Sequence, residues 1–172
     1  MSINKTIAIA IAALYLASCS TEAQVNTAHL NDVVYLKPEL TSHDKKQIQC
    51  LADNAYYEAG NQTINGMIAV TQVVLNRVSN EKFPSTPCAV VKQKSHGVCQ
   101  FSWTCVKQRI LYPENYEKAR KVAKTVYTNN VPDITGGAVY YHATYVKPTW
   151  FRKLKKTVII GQHIFYKEKT WK

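Results

Sequence analysis

Acidic side chains are scarce in this sequence. Its 172 residues include 11 Asp and Glu against 22 Lys and Arg, so the formal net charge at pH 7 is +11. This imbalance indicates an anionic partner, with simple solubility as the alternative explanation. It also leaves few carboxylates from which a catalytic pair could be formed.

A long hydrophobic run is absent too. A membrane-spanning helix needs roughly 20 apolar residues, whereas the apolar run at 7–16 has the shorter length of a signal-peptide core and follows Lys5. The run ends in Leu16-Ala17-Ser18-Cys19, which resembles the lipobox of bacterial lipoproteins. We therefore expect residues 1–18 to be a lipoprotein signal peptide, with Cys19 lipidated and anchored to a membrane.

Two alternatives remain for this segment. One is an ordinary signal peptide that is cut later, for instance after Ala23, and the other is a weak signal anchor that is later released. All three place the folded part outside the cytoplasm, in the periplasm or cell envelope. An exported basic chain seldom meets nucleic acid, so peptidoglycan, which carries many carboxylates, is the expected anionic partner. The weakly patterned residues 19–43 are predicted to form a tether.

The remaining cysteines fit an oxidising compartment. Cys50, Cys88, Cys99 and Cys105 are even in number, which favours two disulfides in one of three possible pairings. A zinc site is the weaker alternative, because Cys99 and Cys105 are too far apart for a zinc knuckle. The five histidines form no H-x-H or H-E-x-x-H motif. No metal or other cofactor is predicted.

Apolar periodicity predicts helices first and strands last, which is typical of an α+β domain. We assign this domain to residues 44–172 and expect a monomer. One helical stripe ends at Gly60, with Asp44 or Ser42 as the possible cap of its helix. Its members are Ile48, Leu51, Ala52, Ala55 and Ala59. Further helices are predicted at 65–78 and 113–127, a loop-like segment at 88–103, and strands at 138–142, 156–160 and 163–167.

Glu58 lies on the flank of the first stripe, three residues after Ala55 and seven after Leu51. Partial burial and the negative end of the helix dipole both favour the protonated form of such a carboxyl group. A carboxylic acid that keeps its proton near neutral pH can protonate a glycosidic oxygen. The alternative, from helix geometry alone, is a Glu whose carboxylate lies in water.

Several short motifs resemble, in order, those of the SleB-type cell wall hydrolases, and together they cover about residues 50–167. The motifs are Tyr57-Glu58-Ala59, Gly66-Met67-Ile68-Ala69-Val70, Val74-Leu75-Asn76-Arg77-Val78, Phe83-Pro84, Cys88-Ala89-Val90-Val91, Cys99-Gln100-Phe101-Ser102-Trp103, Gly137-Ala138-Val139-Tyr140-Tyr141-His142, Pro148-Thr149-Trp150 and Gly161-Gln162-His163-Ile164-Phe165-Tyr166. Each motif alone is a weak signal, but the ordered set is strong. The resemblance implies a lysozyme-like domain that acts on the bond between N-acetylmuramic acid and N-acetylglucosamine, with Glu58 at the position of the family's catalytic acid.

The sequence departs from the family at one position. Many members carry a second acid four residues after the catalytic Glu, and this chain has Gln62 there. No other acid is a convincing partner, because Asp53 projects elsewhere on the helix and Asp133 lies in a turn. Glu114 and Glu117 open a later helix. A lytic transglycosylase needs no second carboxylate, whereas ordinary glycosidases use two. We therefore favour transglycosylation over lysozyme-like hydrolysis.

Aromatic and amide side chains in the matched motifs are candidates for sugar contacts. They are Tyr56, Gln100, Phe101, Trp103, Tyr141, His142 and Trp150. Since Tyr140 and Tyr141 alternate on a strand, at most one of them can face a cleft. Asn76 and Arg77 are interpreted as a helix cap and structural anchor. Two rival functions remain: a zinc-dependent amidase or endopeptidase, and a lipoprotein that binds peptidoglycan without cutting it.

Overall fold

The computed structural model describes residues 39–169. The predicted signal peptide, the lipidation site Cys19 and most of the predicted tether lie outside these residues. Within residues 39–169, no helix is both long and apolar enough to cross a membrane.

The first helix, α1, spans Ser42–Ala59 and carries Glu58 near its carboxyl end. Its N-cap is Thr41, so the prediction of Asp44 or Ser42 as the cap is wrong. Thr41 has an extended backbone, and its hydroxyl accepts a hydrogen bond from the Asp44 amide while the Asp44 carboxylate accepts one from the Thr41 amide. This reciprocal pair satisfies two backbone donors that would otherwise be free at the helix start.

Three more helices follow: α2 at Ile64–Val78, α3 at Pro87–Val91 and α4 at Pro113–Thr128. The bounds of α2 and α4 confirm the sequence prediction to within one residue. The short α3 lies in the segment predicted to be a loop, and that prediction is wrong there. Five residues are too few to show a helical period, but Thr86 caps this helix through the Ala89 amide and Pro87 occupies its first turn.

The strands form two antiparallel sheets. The smaller sheet is a hairpin of two strands, each two residues long: β1 at Lys94–Ser95 and β2 at Val98–Cys99. The larger sheet has the order β3-β5-β4, with β3 at Tyr140–Ala143, β4 at Lys155–Ile160 and β5 at His163–Lys167. The hairpin was not predicted. The predicted strand at 138–142 begins two residues later in the structure.

The core lies between the helices and one face of the larger sheet. Leu51, Ala55 and Ala59 from α1 are completely buried, as the helical stripe predicted, and Phe165 of β5 is buried with them. Ile48 is partly buried. This arrangement confirms the predicted α+β class, with helices in the first half and a small sheet in the second.

Two disulfides form, as predicted, and the structure selects the pairing. Cys50 of α1 bonds to Cys88 of α3. Cys99 of β2 bonds to Cys105, at the end of a 3-10 turn spanning Ser102–Cys105. The second bond holds this turn, and with it Trp103, against the hairpin.

Candidate active site

Glu58 is the penultimate residue of α1 and is half-buried. The hydroxyl of Tyr141 donates a hydrogen bond to its Oε2 atom over 3.1 Å. Tyr141 lies on β3, where it pairs with the buried Phe165 of β5, so the sheet register directs its ring toward the helices. The helix end and the sheet thus meet at one carboxyl group.

Burial raises the pKa of Glu58 above its ordinary value. Three neighbours act in the opposite direction and favour the carboxylate: the Tyr141 hydroxyl, the positive charge of Arg77 and the indole N–H of Trp103. The effect of burial is the largest of these, so the net shift of the pKa is upward. Glu58 therefore holds its proton to a higher pH than a solvated Glu does.

Arg77, whose charge acts on this carboxyl group, is buried, with 3% of its surface exposed. Its Nε donates to the Val139 carbonyl over 2.7 Å, and its guanidinium carbon lies 5.3 Å and 5.4 Å from the ring centres of Phe83 and Phe101. The interpretation of Arg77 as a structural anchor is therefore confirmed. The interpretation of Asn76 and Arg77 as a helix cap is wrong, because both lie inside α2 and its C-cap is Ser79. Sequence reasoning missed its electrostatic action on Glu58, although a cation three residues after Val74 on an apolar helix stripe was the available signal.

Asn54 lies one helical turn before Glu58 and was also missed. Its side chain is completely buried, and neither its Oδ1 nor its Nδ2 has a hydrogen-bond partner. It is close enough to the Tyr141 hydroxyl to affect the pKa of that group, but without a hydrogen bond of normal geometry. An unpartnered polar atom in a protein interior is rare and costly, so its presence here calls for a role.

Unpartnered polar atoms recur around this carboxyl group. The Nη1 atom of Arg77 and the Nε1 atom of Trp103 are also buried without a hydrogen-bond partner. Both side chains nevertheless act on the pKa of Glu58. Four such atoms, two of them on Asn54, therefore belong to residues that interact with Glu58 or with its partner Tyr141. Three of them are donors (Asn54 Nδ2, Arg77 Nη1 and Trp103 Nε1), and the fourth, Asn54 Oδ1, is an acceptor.

Two of the seven predicted sugar-contact residues lie beside Glu58. Tyr141 is hydrogen-bonded to it, and Trp103 contacts it while stacking on Tyr57 with ring centres 4.7 Å apart. Tyr57 borders two surface hollows, of about 420 Å³ and 470 Å³, and Trp103 lines the first. The aromatic pair therefore lies on an open surface next to the acid.

Tyr56, Phe101 and Gln100 lie in other settings. Tyr56 is 8% exposed, and its hydroxyl accepts hydrogen bonds from the amides of Leu111 and Tyr112, so it fixes the chain before α4. Phe101 is buried against Arg77, and Gln100 is exposed. For these three residues, contact with a sugar stays a prediction.

His142 and Trp150 lie on the opposite face of the sheet from Tyr141. The alternation of β3 directs His142 and Tyr140 away from the helices, and His142 Nε2 is hydrogen-bonded to the Tyr166 hydroxyl over 2.9 Å. Trp150 packs against the rings of His142 and Tyr166 and is 37% exposed. These two predicted residues form a separate aromatic cluster.

Comparison with known proteins identifies the family. The profile of the family described as Cell Wall Hydrolase matches residues 61–166. The chain belongs to this family. The matched interval begins just after Glu58, so it does not itself cover the candidate acid.

Relatives of the cell wall hydrolase domain agree with this assignment. A spore cortex-lytic enzyme of Bacillus cereus is 32% identical over 129 residues, which are 73% of this chain and 46% of the relative. One from Oceanobacillus iheyensis is 29% identical over 126 residues, or 73% of this chain and 43% of the relative. This chain thus spans less than half the length of these curated relatives.

Two solved structures share the fold. The catalytic domain of the germination-specific lytic transglycosylase SleB from Bacillus anthracis has a TM-score of 0.60 and 26% identity, over 75% of this chain and all of that one. The catalytic domain of the Bacillus cereus SleB protein has a TM-score of 0.57 and 27% identity, over 76% of this chain and 94% of that one.

Gln62, which stands where the family resemblance led us to expect a second acid, has a structural role here. Its Nε2 lies 3.2 Å from Nδ1 of His163, and its Oε1 accepts a hydrogen bond from the Gln162 amide over 3.0 Å. A side chain at Gly161 would displace Gln62, because its Cβ would overlap with the same Oε1, and the backbone φ of +56° favours glycine. Gln62 thus joins the start of α2 to the turn between β4 and β5.

The other acids are engaged away from Glu58. Asp53 accepts hydrogen bonds from Gln49 and from the Tyr116 hydroxyl, and Asp133 accepts them from Thr135 and Gly137. No carboxylate of residues 39–169 is among the groups that shift the pKa of Glu58. In the same part of the chain, no three His, Cys, Asp or Glu side chains are grouped so that they could hold a metal ion.

Proposed function

We propose that this protein is an exported lytic transglycosylase that cuts peptidoglycan between N-acetylmuramic acid and N-acetylglucosamine, with Glu58 as its acid. The observation that carries the proposal is a single half-buried carboxyl group, Glu58, whose pKa is raised by burial and which is held by Tyr141. The family and the two related catalytic domains support the substrate class.

In the first step, Glu58 donates its proton to the glycosidic oxygen as the bond from that oxygen to C1 of the muramic acid breaks. The acetamido group of the sugar stabilises the positive charge that develops at C1. The Tyr141 hydroxyl and the charge of Arg77 then favour the Glu58 carboxylate that remains, since both act to lower its pKa. These groups make the acid able to release the proton that burial would otherwise retain.

In the second step, the Glu58 carboxylate takes the proton from the C6 hydroxyl of the same sugar while O6 bonds to C1. The product is a 1,6-anhydro sugar, and Glu58 returns to its protonated state without water entering. One carboxyl group performs both transfers, which agrees with the lack of a second acid among the groups acting on Glu58. A lysozyme-like muramidase would instead need a positioned carboxylate or water on the other face of the sugar.

Product analysis tests the proposal. Purified peptidoglycan is digested with the protein, and the soluble fragments are measured by mass spectrometry. We expect anhydro-muropeptides, which are lighter by one water than hydrolytic products. Reducing-end muramic acid would show a muramidase, released peptides would show an amidase or endopeptidase, and binding without any product would show a non-catalytic peptidoglycan-binding protein.

The location is part of the same proposal. We infer that residues 1–18 are removed and that Cys19 carries the lipid anchor, on the strength of the sequence motif. Intact-mass measurement of the protein from a membrane fraction tests this. A lipid mass on Cys19 that disappears in the Cys19→Ser variant supports the anchor, whereas an unmodified amino terminus farther along the chain contradicts it.

A further inference from the structure

A cleft of about 420 Å³ adjoins the candidate site and has a basic rim. Lys92 follows α3 and Lys94 lies in β1, and both side chains are exposed. Within residues 39–169, neither lysine lies within 4.0 Å of a carboxylate. Their two positive charges are therefore available to a bound molecule. We call this hollow the Lys92–Lys94 cleft.

The walls of the Lys92–Lys94 cleft combine apolar and hydrogen-bonding groups. Val91, Val106, Trp103 and the disulfide-bonded Cys50 line it, and Thr104 and Gln108 add polar atoms. Asp53 is its only lining acid, and the hydrogen bonds from Gln49 and Tyr116 already engage that carboxylate. A ligand that fits would combine small apolar groups with carboxylates.

Trp103 connects this cleft to the acid. Its ring lines the cleft and stacks on Tyr57, and its indole N–H acts on Glu58. A molecule in the cleft would therefore lie one indole ring away from the carboxyl group that reacts. If a glycan strand lies across Glu58, a substituent of a sugar next to the cut bond can reach the cleft.

We propose that the Lys92–Lys94 cleft binds the acidic stem peptide carried by a muramic acid next to the cut bond, and this rests on the proposed function. The stem peptide is short and combines alanine methyl groups with several carboxylates, which matches the apolar groups of the walls and the two lysines. The cleft volume also lies in the range, roughly 300–1,000 Å³, in which protein clefts hold small ligands. The protein would thus prefer peptide-bearing glycan over bare glycan.

The test compares two substrates and two double variants. The substrates are peptidoglycan glycan strands with their stem peptides and the same strands after an amidase has removed the peptides. The variants are Lys92→Gln/Lys94→Gln and, as a control of equal charge, Lys118→Gln/Lys121→Gln on the exposed side of α4. We measure the ratio of kcat/KM for the two substrates and the binding of the free stem peptide by calorimetry.

The proposal expects the parent protein and the control to favour the peptide-bearing strands. In Lys92→Gln/Lys94→Gln, this preference should fall by roughly two- to thirty-fold, as expected for the loss of two exposed charge contacts. Binding of the free peptide should weaken in this variant alone. An unchanged preference, or an equal loss with both substrates, would overturn the proposal.

The two proposals fail in different ways. If the parent protein cuts both substrates without preference and binds no free stem peptide, the cleft proposal falls while the proposed function stands. If it cuts neither substrate, the proposed function falls, and absence of peptide binding then removes the cleft proposal too.

Discussion

Replacing Asn54 by Ala should make the protein more stable and less active. The Asn54 amide is completely buried, and both of its polar atoms lack a hydrogen-bond partner. Burying such a group costs roughly 1–3 kcal/mol, which the substitution recovers. Ala is also the better helix former, by at most about 0.7 kcal/mol.

The loss of side-chain volume acts against this gain. Removing the amide leaves a cavity of roughly 40 Å³, which costs about 1 kcal/mol. The free energy of unfolding of Asn54→Ala should therefore rise by about 1–2 kcal/mol, or roughly 4–8 °C in Tm. The activity should fall, since the amide lies one turn before Glu58 and close to the Tyr141 hydroxyl.

Urea unfolding and turnover of purified peptidoglycan measure the two effects. Asn65→Ala is the matched control, because Asn65 is exposed on α2 and should show only the gain in helix propensity. If Asn54→Ala lost about 2 kcal/mol or more of unfolding free energy, the amide would be well bonded and the reasoning would be wrong. A stabilised variant with full activity would refute the functional part.

Three further predictions concern two partners of Glu58 and the two disulfides. Tyr141→Phe removes a hydrogen bond that lowers the pKa of Glu58, so this pKa should rise and the alkaline limb of kcat/KM should move to higher pH. Arg77→Gln removes a positive charge that acts in the same direction, so its pH profile should move the same way; a move to lower pH would contradict either prediction. Changing both Cys50 and Cys88 to Ala should lower the unfolding free energy by about 4 kcal/mol, whereas changing both Cys99 and Cys105 to Ala should lower it by about 2 kcal/mol. The difference arises because the Cys50–Cys88 bond, with a sequence separation of 38 residues, restricts the unfolded chain more than the Cys99–Cys105 bond, with a separation of 6. Equal losses in urea unfolding would contradict this last estimate.

The helices could be predicted because their signals are local. The stripe through Leu51, Ala55 and Ala59 sets the buried face of α1, and it also places Glu58 at the edge of the core. The N-cap was misplaced because Ser42, Asp44 and Thr41 can all cap a helix, and only the backbone conformation distinguishes them. Short elements such as α3 and the β1–β2 hairpin contain too few residues for a period to be seen.

The partners of Glu58 could not be read from the sequence in the same way. Tyr141 is 83 residues away along the chain, and its contact depends on the register of β3 against β5. Tyr141 and His142 are neighbours in one motif, but the alternation of β3 directs His142 to the other face of the sheet, away from Glu58. Asn54 gave no signal, because a buried polar residue on a helix looks like an exposed one until the packing is known.

Glu58→Gln tests the central claim most directly. Since burial raises the pKa of Glu58 in the folded state, the protonated form favours folding at low pH, and this contribution is lost as the pH rises through the folded pKa. The neutral Gln should therefore leave the protein at least as stable at neutral pH, so lost activity cannot come from unfolding.

The measurement is the rate at which purified sacculi are degraded at neutral pH by Glu58→Gln and by the exposed control Glu117→Gln. We expect Glu117→Gln to match the parent protein and Glu58→Gln to be slower by at least about a hundred-fold, the usual contribution of a general acid. Degradation by Glu58→Gln at the parent rate would contradict the account.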